Sequence, residues 1–203
     1  MSEHLADLIV GHYERRARDW DADRRVLPWV DRPWIELFAG LLPAGGAVLD
    51  LGCGGGDPVA TSLTAHGLKV TGVDASPTLI SLSRERMPAE KWLVGDMRSL
   101  VLGNRFDGVL AWDSFFHLKS DDQAAMFPVF ATHAARGAVL MFNAGPALGE
   151  AIGAYRGDPF YHASLDAAEH ASLLGGAGFD LLEHVVGDVA NGGRVVWITR
   201  RRG

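Results

Sequence analysis

The stretch that decides the fold is VLDLGCGGGDP, residues 48–58. A mostly apolar segment comes first, four of the residues from 52 to 56 are glycine, and an Asp-Pro pair follows. Glycine costs about 0.5–1 kcal/mol per site relative to alanine in regular structure, and a chain keeps it where φ must be positive or the backbone must approach another group closely. The stretch therefore predicts a strand, a tight turn and a helix, with a ligand against the turn.

Short apolar segments alternate with helical patterns along the rest of the chain. Strands are expected at 47–51, 69–74, 91–96, 106–113 and 138–145, and helices at about 3–20, 32–42, 58–66, 77–87, 121–135 and 166–177. Two closing strands, 179–188 and 194–201, form a hairpin around VANGG. This alternation predicts an α/β fold with a mainly parallel sheet, in which ligands lie beyond the carboxyl ends of the strands.

Local signals predict where two of these helices begin. Asp57 is the expected N-cap of the helix after the glycine turn, with Pro58 at its first position. Ser120 and Gln123 form a capping-box pattern for the helix near 121–135. Pro128 lies inside that helix, where proline costs about 3 kcal/mol or more, so a kink or break is expected there.

Composition limits the class of protein. The chain has 203 residues, a formal net charge of −6 and a single cysteine, Cys53. One domain is expected from this length, and the acidic balance argues against nucleic acid as the partner. No apolar run is long enough for a membrane span, and the first residues do not resemble a secretory signal, so a cytoplasmic location is expected. The eight histidines are scattered without metal-ligand spacing, so no metal site is expected.

The end of the second expected strand carries an acid, Asp74, 22 residues after Gly52. An acid at this place accepts hydrogen bonds from a ribose diol, which indicates a nucleoside-containing cofactor. The dinucleotide pattern G-x-G-x-x-G fails, because counting from Gly52 puts Asp57 at the sixth position, where its carboxylate would face a pyrophosphate.

The pattern that fits is D-x-G-x-G-x-G, at Asp50, Gly52, Gly54 and Gly56. It resembles the first motif of the class I S-adenosylmethionine-dependent methyltransferases. The segments VTGVDASP (70–77), VGDMRSL (94–100) and FDGVLAWDSFFHL (106–118) are similar to the next three segments of that family, in the same order. The resemblance covers about residues 45–203 and is greatest to the compact bacterial type that acts on small molecules.

The resemblance implies a Rossmann-like, doubly wound, mainly parallel seven-stranded sheet with a C-terminal antiparallel hairpin strand. Residues 45–203 would form the S-adenosylmethionine-binding domain, and residues 1–44 a helical lid within the same domain. The implied cofactor is S-adenosyl-L-methionine, which leaves as S-adenosyl-L-homocysteine. The implied reaction is in-line transfer of its methyl group to a small molecule.

The resemblance also implies roles for particular residues. Asp74 would bind the ribose and Asp96 the adenine amine, with Met97 bordering the ring. The full set predicted to bind the cofactor is Tyr13, Asp50, Gly52, Cys53, Gly54, Gly56, Asp74, Ala75, Ser76, Asp96, Met97 and Trp112.

Substrate-side residues are expected beyond the fourth and fifth strands. The resemblance implies that Asp113 points toward the transferred methyl group or the acceptor. His117 is the candidate general base because its ordinary pKa is near working pH. Residues 143–164 are expected to be a long loop that forms one wall of the substrate pocket. The residues predicted to bind substrate are Trp29, Glu150, Tyr155 and Tyr161.

Two other functions stay open at this stage. One is a nicotinamide-dependent oxidoreductase, and the other is a protein that binds S-adenosylmethionine without catalysis. The sequence does not identify the acceptor or the acceptor atom, and it leaves monomer and homodimer equally open.

Overall fold

The structure, a computed structural model, describes residues 2–203, with side chains from His4 onward. Met1, the first residue of the predicted lid, lies outside the described residues. The α-helices are Ser2–Val26 (α1), Arg32–Gly40 (α2), Val59–Ala65 (α3), Pro77–Arg86 (α4), Ser120–His133 (α5) and Ala167–Gly176 (α6). The strands are Ala47–Leu51 (β1), Lys69–Asp74 (β2), Lys91–Val94 (β3), Phe106–Ala111 (β4), Ala134–Ala144 (β5), Gly149–Tyr155 (β6), Asp158–Ser164 (β7), Phe179–Asp188 (β8) and Arg194–Arg201 (β9).

Seven strands form one sheet in the order β3-β2-β1-β4-β5-β9-β8. Strands β1 to β5 pair in parallel, and β9 is antiparallel to both of its neighbours. The predicted fold class, including the antiparallel strand from the closing hairpin, is confirmed. The order reverses between β1 and β4, so the sheet has the switch point where ligands bind in open α/β folds.

The sheet is covered on both faces, which explains why its central strands are continuously apolar. On one face β4 and β5 pack against Phe127 and Phe130 of α5. On the other face β1 and β4 pack against Phe38 of α2 and Leu63 of α3. The site therefore rests on strands that are fixed by two separate core clusters.

The predicted start of α3 was wrong by one residue, and Asp57 is not its N-cap. Pro58 occupies the N-cap position without a side-chain capping bond, and the helix begins at Val59. The carboxylate of Asp57 instead lies 3.4 Å from Arg25 of α1, so an ion pair has replaced the cap.

The predicted capping box of α5 was also wrong. Lys119 is at the N-cap position, and Ser120 is already helical and makes no capping bond. The Gln123 amide instead donates to the backbone oxygens of Leu118 and Ala163, at 2.9 and 2.8 Å. A fully buried amide has no access to water, so it bonds to one nearby and one distant backbone oxygen rather than to the helix N-terminus.

Pro128 does not break α5, contrary to expectation, because the helix runs through it to His133. The proline is exposed. Phe127 and Phe130 on either side of the proline are buried in the core, and their packing keeps the helix continuous.

The expected long loop at 143–164 is largely a β-hairpin. Strands β6 and β7 pair antiparallel from Gly149↔Ser164 to Tyr155↔Asp158. Arg156 and Gly157 form the two-residue turn with φ of 48° and 87°, which suits the twist of a hairpin. The hairpin packs against α1, so its conformation depends on a partner distant in sequence.

Replacing Phe38 by alanine should destabilise the protein by about 3–5 kcal/mol, because the ring is fully buried between α2 and the sheet. Leu37→Ala is the matched control, since Leu37 is the neighbouring residue of the same helix and is 39% exposed. Urea unfolding measures both variants. Equal losses would contradict the packing of α2 described above.

Candidate functional site

A cavity of about 340 Å³ lies beneath α1 at the carboxyl ends of β1, β2 and β4. Residues from the glycine turn, from the ends of the parallel strands and from helix α1 line it. Among the residues predicted to bind a cofactor, those that line it are Tyr13, Asp50, Gly52, Cys53, Gly54, Asp74, Ala75, Ser76, Asp96, Met97 and Trp112. Asp113 and His117 line it as well. Gly56 does not.

Each glycine of the turn lies against a different neighbour. A β-carbon on Gly52 would collide with Ser114, and one on Gly56 would collide with Met87. A β-carbon on Gly55 would collide with the carboxylate of Asp21 in α1. Only beside Gly54, at a φ of 55°, does such an atom meet open space, and that space is the cavity. Three of the glycines thus allow other parts of the protein to approach closely, and Gly54 leaves open space at the cavity wall.

Hydrogen bonds join the turn to the end of β2. The backbone N–H groups of Gly52 and Cys53 donate to the oxygen of Val73, at 2.8 and 3.2 Å. The carboxylate of Asp74 accepts from the N–H of Gly54 at 2.9 Å and from the N–H of Ser76 at 2.8 Å. The Ser76 side chain caps α4, accepting from the N–H of Leu79. Asp74 is thereby fixed against the turn at the cavity wall.

Asp50, at the end of β1, is 2% exposed, and its Oδ2 atom has no hydrogen-bond partner. Burial, together with the nearby charge of Asp74, raises the pKa of Asp50 to about 7. A buried, unpartnered carboxyl oxygen is costly unless a ligand pairs with it. This atom therefore marks the cavity as a place for a hydrogen-bonding or cationic group.

Tyr13 of α1 and His117 form a hydrogen-bonded pair in the cavity wall. The phenol oxygen lies 2.8 Å from His117 Nε2, and His117 Nδ1 lies 2.7 Å from the backbone oxygen of Tyr161. A carbonyl only accepts, so Nδ1 carries the hydrogen, and Nε2 accepts from the Tyr13 hydroxyl. Burial lowers the pKa of His117 to about 4 and raises that of Tyr13. Both groups are therefore neutral near pH 7.

The Asp113 carboxylate is engaged in hydrogen bonds and ion pairs, whereas a general base needs a free carboxylate oxygen. Its carboxylate accepts two hydrogen bonds from Arg194, at 2.9 and 2.7 Å, and one from Asn143 at 2.7 Å. Arg24 of α1 approaches the same carboxylate at 3.4 Å. Burial raises the pKa of Asp113, but the hydrogen bonds and charge of Arg194 outweigh it, and the net pKa lies below the ordinary value. Asp113 is thus an ionised anchor and a poor proton acceptor.

Asp96 and Cys53, two further residues predicted to bind the cofactor, line the cavity, and their surroundings shift the pKa of each. The Asp96 carboxylate is gripped by the Arg98 guanidinium, at 3.0 and 2.6 Å, which lowers its pKa. Burial raises the pKa of the Cys53 thiol well above its ordinary value. The thiol is therefore not a nucleophile at neutral pH.

The helix α1 is attached to the body of the protein on both sides of the cavity. Glu14 accepts hydrogen bonds from the Ser76 hydroxyl and from the Thr78 hydroxyl, the latter at 2.6 Å. Asp21 accepts two hydrogen bonds from Arg86, at 3.0 and 2.9 Å. On the other side, the carboxylate of Asp23 accepts from Tyr155 of the hairpin at 2.6 Å. Helix α1 therefore covers the cavity and is held on both sides of it.

The four residues predicted to bind substrate do not line the cavity. Tyr161 is fully buried and donates to Glu150 at 2.7 Å, within the hairpin. Tyr155 is directed to α1 through Asp23. Trp29 packs against the core cluster that contains α2. The segment expected to be a loop is a hairpin, and its side chains pack against α1.

Sequence analysis missed the charged partners Arg24, Asp21 and Arg194. Tyr13, Trp20 and Arg24 recur at helical spacing and all line the cavity, so the spacing on α1 was an available signal. Arg194 had no local signal, because it lies 81 residues from Asp113.

Gly55→Ala should loosen α1, because the added β-carbon meets the Asp21 carboxylate and lies 3.2 Å from the Arg86 guanidinium. Tryptic cleavage within α1 should become several-fold faster. Gly40→Ala is the control, since nothing lies within 4 Å of a β-carbon at that position. Equal cleavage of the two variants would contradict the contact between Asp21 of α1 and the glycine turn.

The Asp50 carboxyl group should titrate with a pKa of about 7 in the ligand-free protein, so it is protonated below that pH. Asp74→Asn should lower this pKa, because the charge of Asp74 contributes to the shift. Carbon-detected NMR of the aspartate carboxyl groups measures both. An Asp50 pKa near the ordinary value of about 3.9, or one unchanged by Asp74→Asn, would refute the burial argument.

Comparisons with known proteins agree with this geometry. Residues 48–137 match a family model described as a methyltransferase domain. The magnesium-protoporphyrin O-methyltransferase of Rhodobacter capsulatus is 39% identical over 80 residues, 37% of this chain and 35% of the relative. A dTDP-4-amino-2,3,4,6-tetradeoxy-D-glucose N,N-dimethyltransferase of Saccharopolyspora spinosa is 27% identical over 140 residues, 68% of this chain and 53% of the relative. The chain thus spans about a third to a half of the length of these curated relatives.

Solved structures share the fold over nearly the whole chain. The 1,6-didemethyltoxoflavin-N1-methyltransferase of Burkholderia thailandensis, with S-adenosylhomocysteine bound, has a TM-score of 0.74 at 18% identity and covers 100% of this chain and 91% of its own. The amino pentose methyltransferase CalS10 of Micromonospora echinaspora has a TM-score of 0.70 at 19% identity, covering 91% and 96%. The chain is thus similar to S-adenosylmethionine-dependent methyltransferases: residues 48–137 match a methyltransferase domain, and the solved structures share its fold.

Proposed function

We propose that this protein is an S-adenosylmethionine-dependent methyltransferase that transfers a methyl group to a small-molecule acceptor. The observation that carries the proposal is the covered cavity that joins Gly54, Asp74 and the Tyr13–His117 pair. Proteins with the same fold, such as the didemethyltoxoflavin methyltransferase, are named for small-molecule acceptors.

The residues present fit the cofactor. The open space beside Gly54 suits the methionine part, and the unpartnered Asp50 oxygen suits its ammonium group. A carboxylate accepts about four hydrogen bonds, so Asp74 retains capacity for the ribose hydroxyls. Asp96 and Met97 would border the adenine, and Cys53, Ala75, Ser76 and Trp112 would complete the walls.

S-Adenosylmethionine supplies a methyl group already activated by its sulfonium charge. The protein must therefore position the acceptor and exclude water, and positioning alone can supply about 7–11 kcal/mol in well-oriented systems. The closed helix α1, with Tyr13 and Trp20 in the cavity wall, excludes water from the transfer site.

Tyr13 and His117 provide a path for a proton. The Tyr13 oxygen faces the cavity and donates its own proton toward His117 Nε2. A hydroxyl acceptor would give its proton to this oxygen while the Tyr13 proton passes to Nε2. With a pKa of about 4, His117 accepts a proton only from a strongly acidic group. The acceptor hydroxyl becomes strongly acidic as its oxygen bonds to the methyl group.

The charged groups beside Trp112 are paired with one another. Arg194 lies over the Trp112 ring, and Asp113 pairs with both Arg194 and Arg24. We therefore propose an acceptor that is uncharged where it enters this end of the cavity, because a charged group there would have to displace an existing ion pair.

The family match favours methyl transfer over the nicotinamide-dependent alternative. A protein that binds the cofactor without turnover is separated from an enzyme by product formation with a panel of acceptors. Within residues 2–203, none of the helices combines the length and apolarity that crossing a membrane requires. We propose a cytoplasmic bacterial protein, a monomer or homodimer, that does not act on nucleic acid.

Isothermal titration should show micromolar binding of S-adenosylhomocysteine and no binding of NADH. Asp74→Ala should weaken that binding by about 1.5–3 kcal/mol, since a charged hydrogen-bonding partner is lost, which is about tenfold or more. Asp180→Ala is the control, because Asp180 is exposed and pairs with Arg202 far along the chain from the turn. NADH binding, or binding of neither ligand, would overturn the proposed function, and unchanged affinity in Asp74→Ala would overturn the ribose assignment.

A further inference from the structure

The side-chain amide of Gln123, in the first turn of α5, joins two separate parts of the chain. Gln123 is fully buried, and its Nε2 atom donates to the backbone oxygen of Leu118 at 2.9 Å and to that of Ala163 at 2.8 Å. Because backbone oxygens only accept, both hydrogens of the amide are engaged. The reverse orientation would place the amide oxygen against two carbonyl oxygens, so the direction of these bonds is fixed.

The two backbone oxygens belong to the segments that meet at His117. Leu118 directly follows His117, and Ala163 lies two residues after Tyr161 on β7. Alternate carbonyl groups of a strand point to the same edge, so the oxygens of Tyr161 and Ala163 face the same side. The first accepts from His117 Nδ1 at 2.7 Å, and the second accepts from Gln123. Gln123 therefore joins the two segments immediately beside the hydrogen bond between His117 and Tyr161.

The position of the Tyr161 oxygen decides which nitrogen of His117 carries the hydrogen. The tautomer of a histidine is set by the hydrogen bond that one ring nitrogen makes, here from Nδ1–H to a carbonyl. The lone pair of Nε2 then faces the Tyr13 hydroxyl, 2.8 Å away, and is able to receive its proton. With the hydrogen on Nε2, which free neutral histidine favours in water, that transfer has no acceptor. The proton path therefore works in one tautomer only.

We propose that Gln123 is a positioning residue that keeps His117 in the tautomer able to receive the Tyr13 proton. This inference rests on the proposed function, in which His117 receives that proton. A glutamine supplies two amide hydrogens, one for each backbone oxygen. An apolar side chain would fill the space but leave both oxygens without this donor, and a carboxylate would repel them. Either change would let the Tyr161 oxygen move away from His117.

Nitrogen-15 NMR of the histidine rings tests the proposal in the ligand-free protein. At neutral pH, His117 should show a protonated Nδ1 and an unprotonated Nε2. Gln123→Met keeps an unbranched side chain of similar length but has no hydrogen-bond donor. In this variant both His117 nitrogen resonances should move toward intermediate frequencies, because the two tautomers then interconvert. His170 is the internal reference, since its Nδ1 bonds to the Asp166 oxygen at 3.1 Å without Gln123, and its resonances should stay unchanged.

Met126→Ala is the matched control for a general loss of packing. Met126 lies one turn further along α5 and is fully buried, but it takes part in neither hydrogen bond of the Gln123 amide. This variant should leave the His117 resonances unchanged. A hydrogen on Nε2 of His117 in the unaltered protein, unchanged His117 resonances in Gln123→Met, or an equal shift in Met126→Ala would each overturn the proposal.

Hydrogen exchange of the unaltered protein provides a readout that needs no variant. Gln123 is the single glutamine in the sequence, so its side-chain amide is assigned by residue type alone. Both amide hydrogens should exchange with deuterated water about tenfold or more slowly than those of Asn104, which is exposed. Exchange as fast as that of Asn104 would also overturn the proposal.

Titration with S-adenosylhomocysteine separates failure of this inference from failure of the proposed function. A shift of the His117 resonances in Gln123→Met, in a protein that binds no S-adenosylhomocysteine, would support the positioning of His117 and overturn the proposed function. Binding of S-adenosylhomocysteine, with His117 resonances that do not change in Gln123→Met, would overturn this inference alone.

Discussion

The hydrogen bonds that hold the turn at Gly52–Gly56 fix the geometry of the whole site. On one side the N–H of Gly52 donates to Val73 of β2 at 2.8 Å, and on the other the Ser83 hydroxyl of α4 donates to the oxygen of Gly54 at 3.0 Å. The turn is therefore tied to the protein before any ligand arrives. A site preorganised in this way avoids the cost of ordering a loop on binding.

The position of helix α1 depends on the same turn. Because Gly55 has no side chain, Asp21 packs directly on the turn and pairs with Arg86, which in turn donates to the oxygen of Gly55. A buried ion pair gains little net stability over an apolar contact, but breaking one partner is costly. The pair therefore sets where α1 sits, and through α1 it sets the position of Tyr13 over the cavity.

Elements far apart in the chain converge at Asp113. Its φ of 50° is unusual for a residue other than glycine, and the surrounding hydrogen bonds from β5 and β9 compensate for that conformation. His117 is similarly fixed by the hairpin, through the oxygen of Tyr161. The closing strand and the hairpin thus take part in the site, although neither carries a recognisable motif.

The sequence by itself determined the sheet, the glycine turn and most of the cavity wall. Those features are encoded locally: strand and helix periodicities, a D-x-G-x-G-x-G spacing, and a Ser76 cap that bonds three residues ahead. Tertiary structure alone decided that 143–164 forms a hairpin, that Pro128 leaves α5 intact, and that Arg194 forms an ion pair with Asp113. Each of these depends on a partner brought close by folding, such as α1 for the hairpin or the core for α5. A side chain's charge is visible in the sequence, but its partner is not, because ion pairs and burial are fixed by distance in space rather than by spacing along the chain.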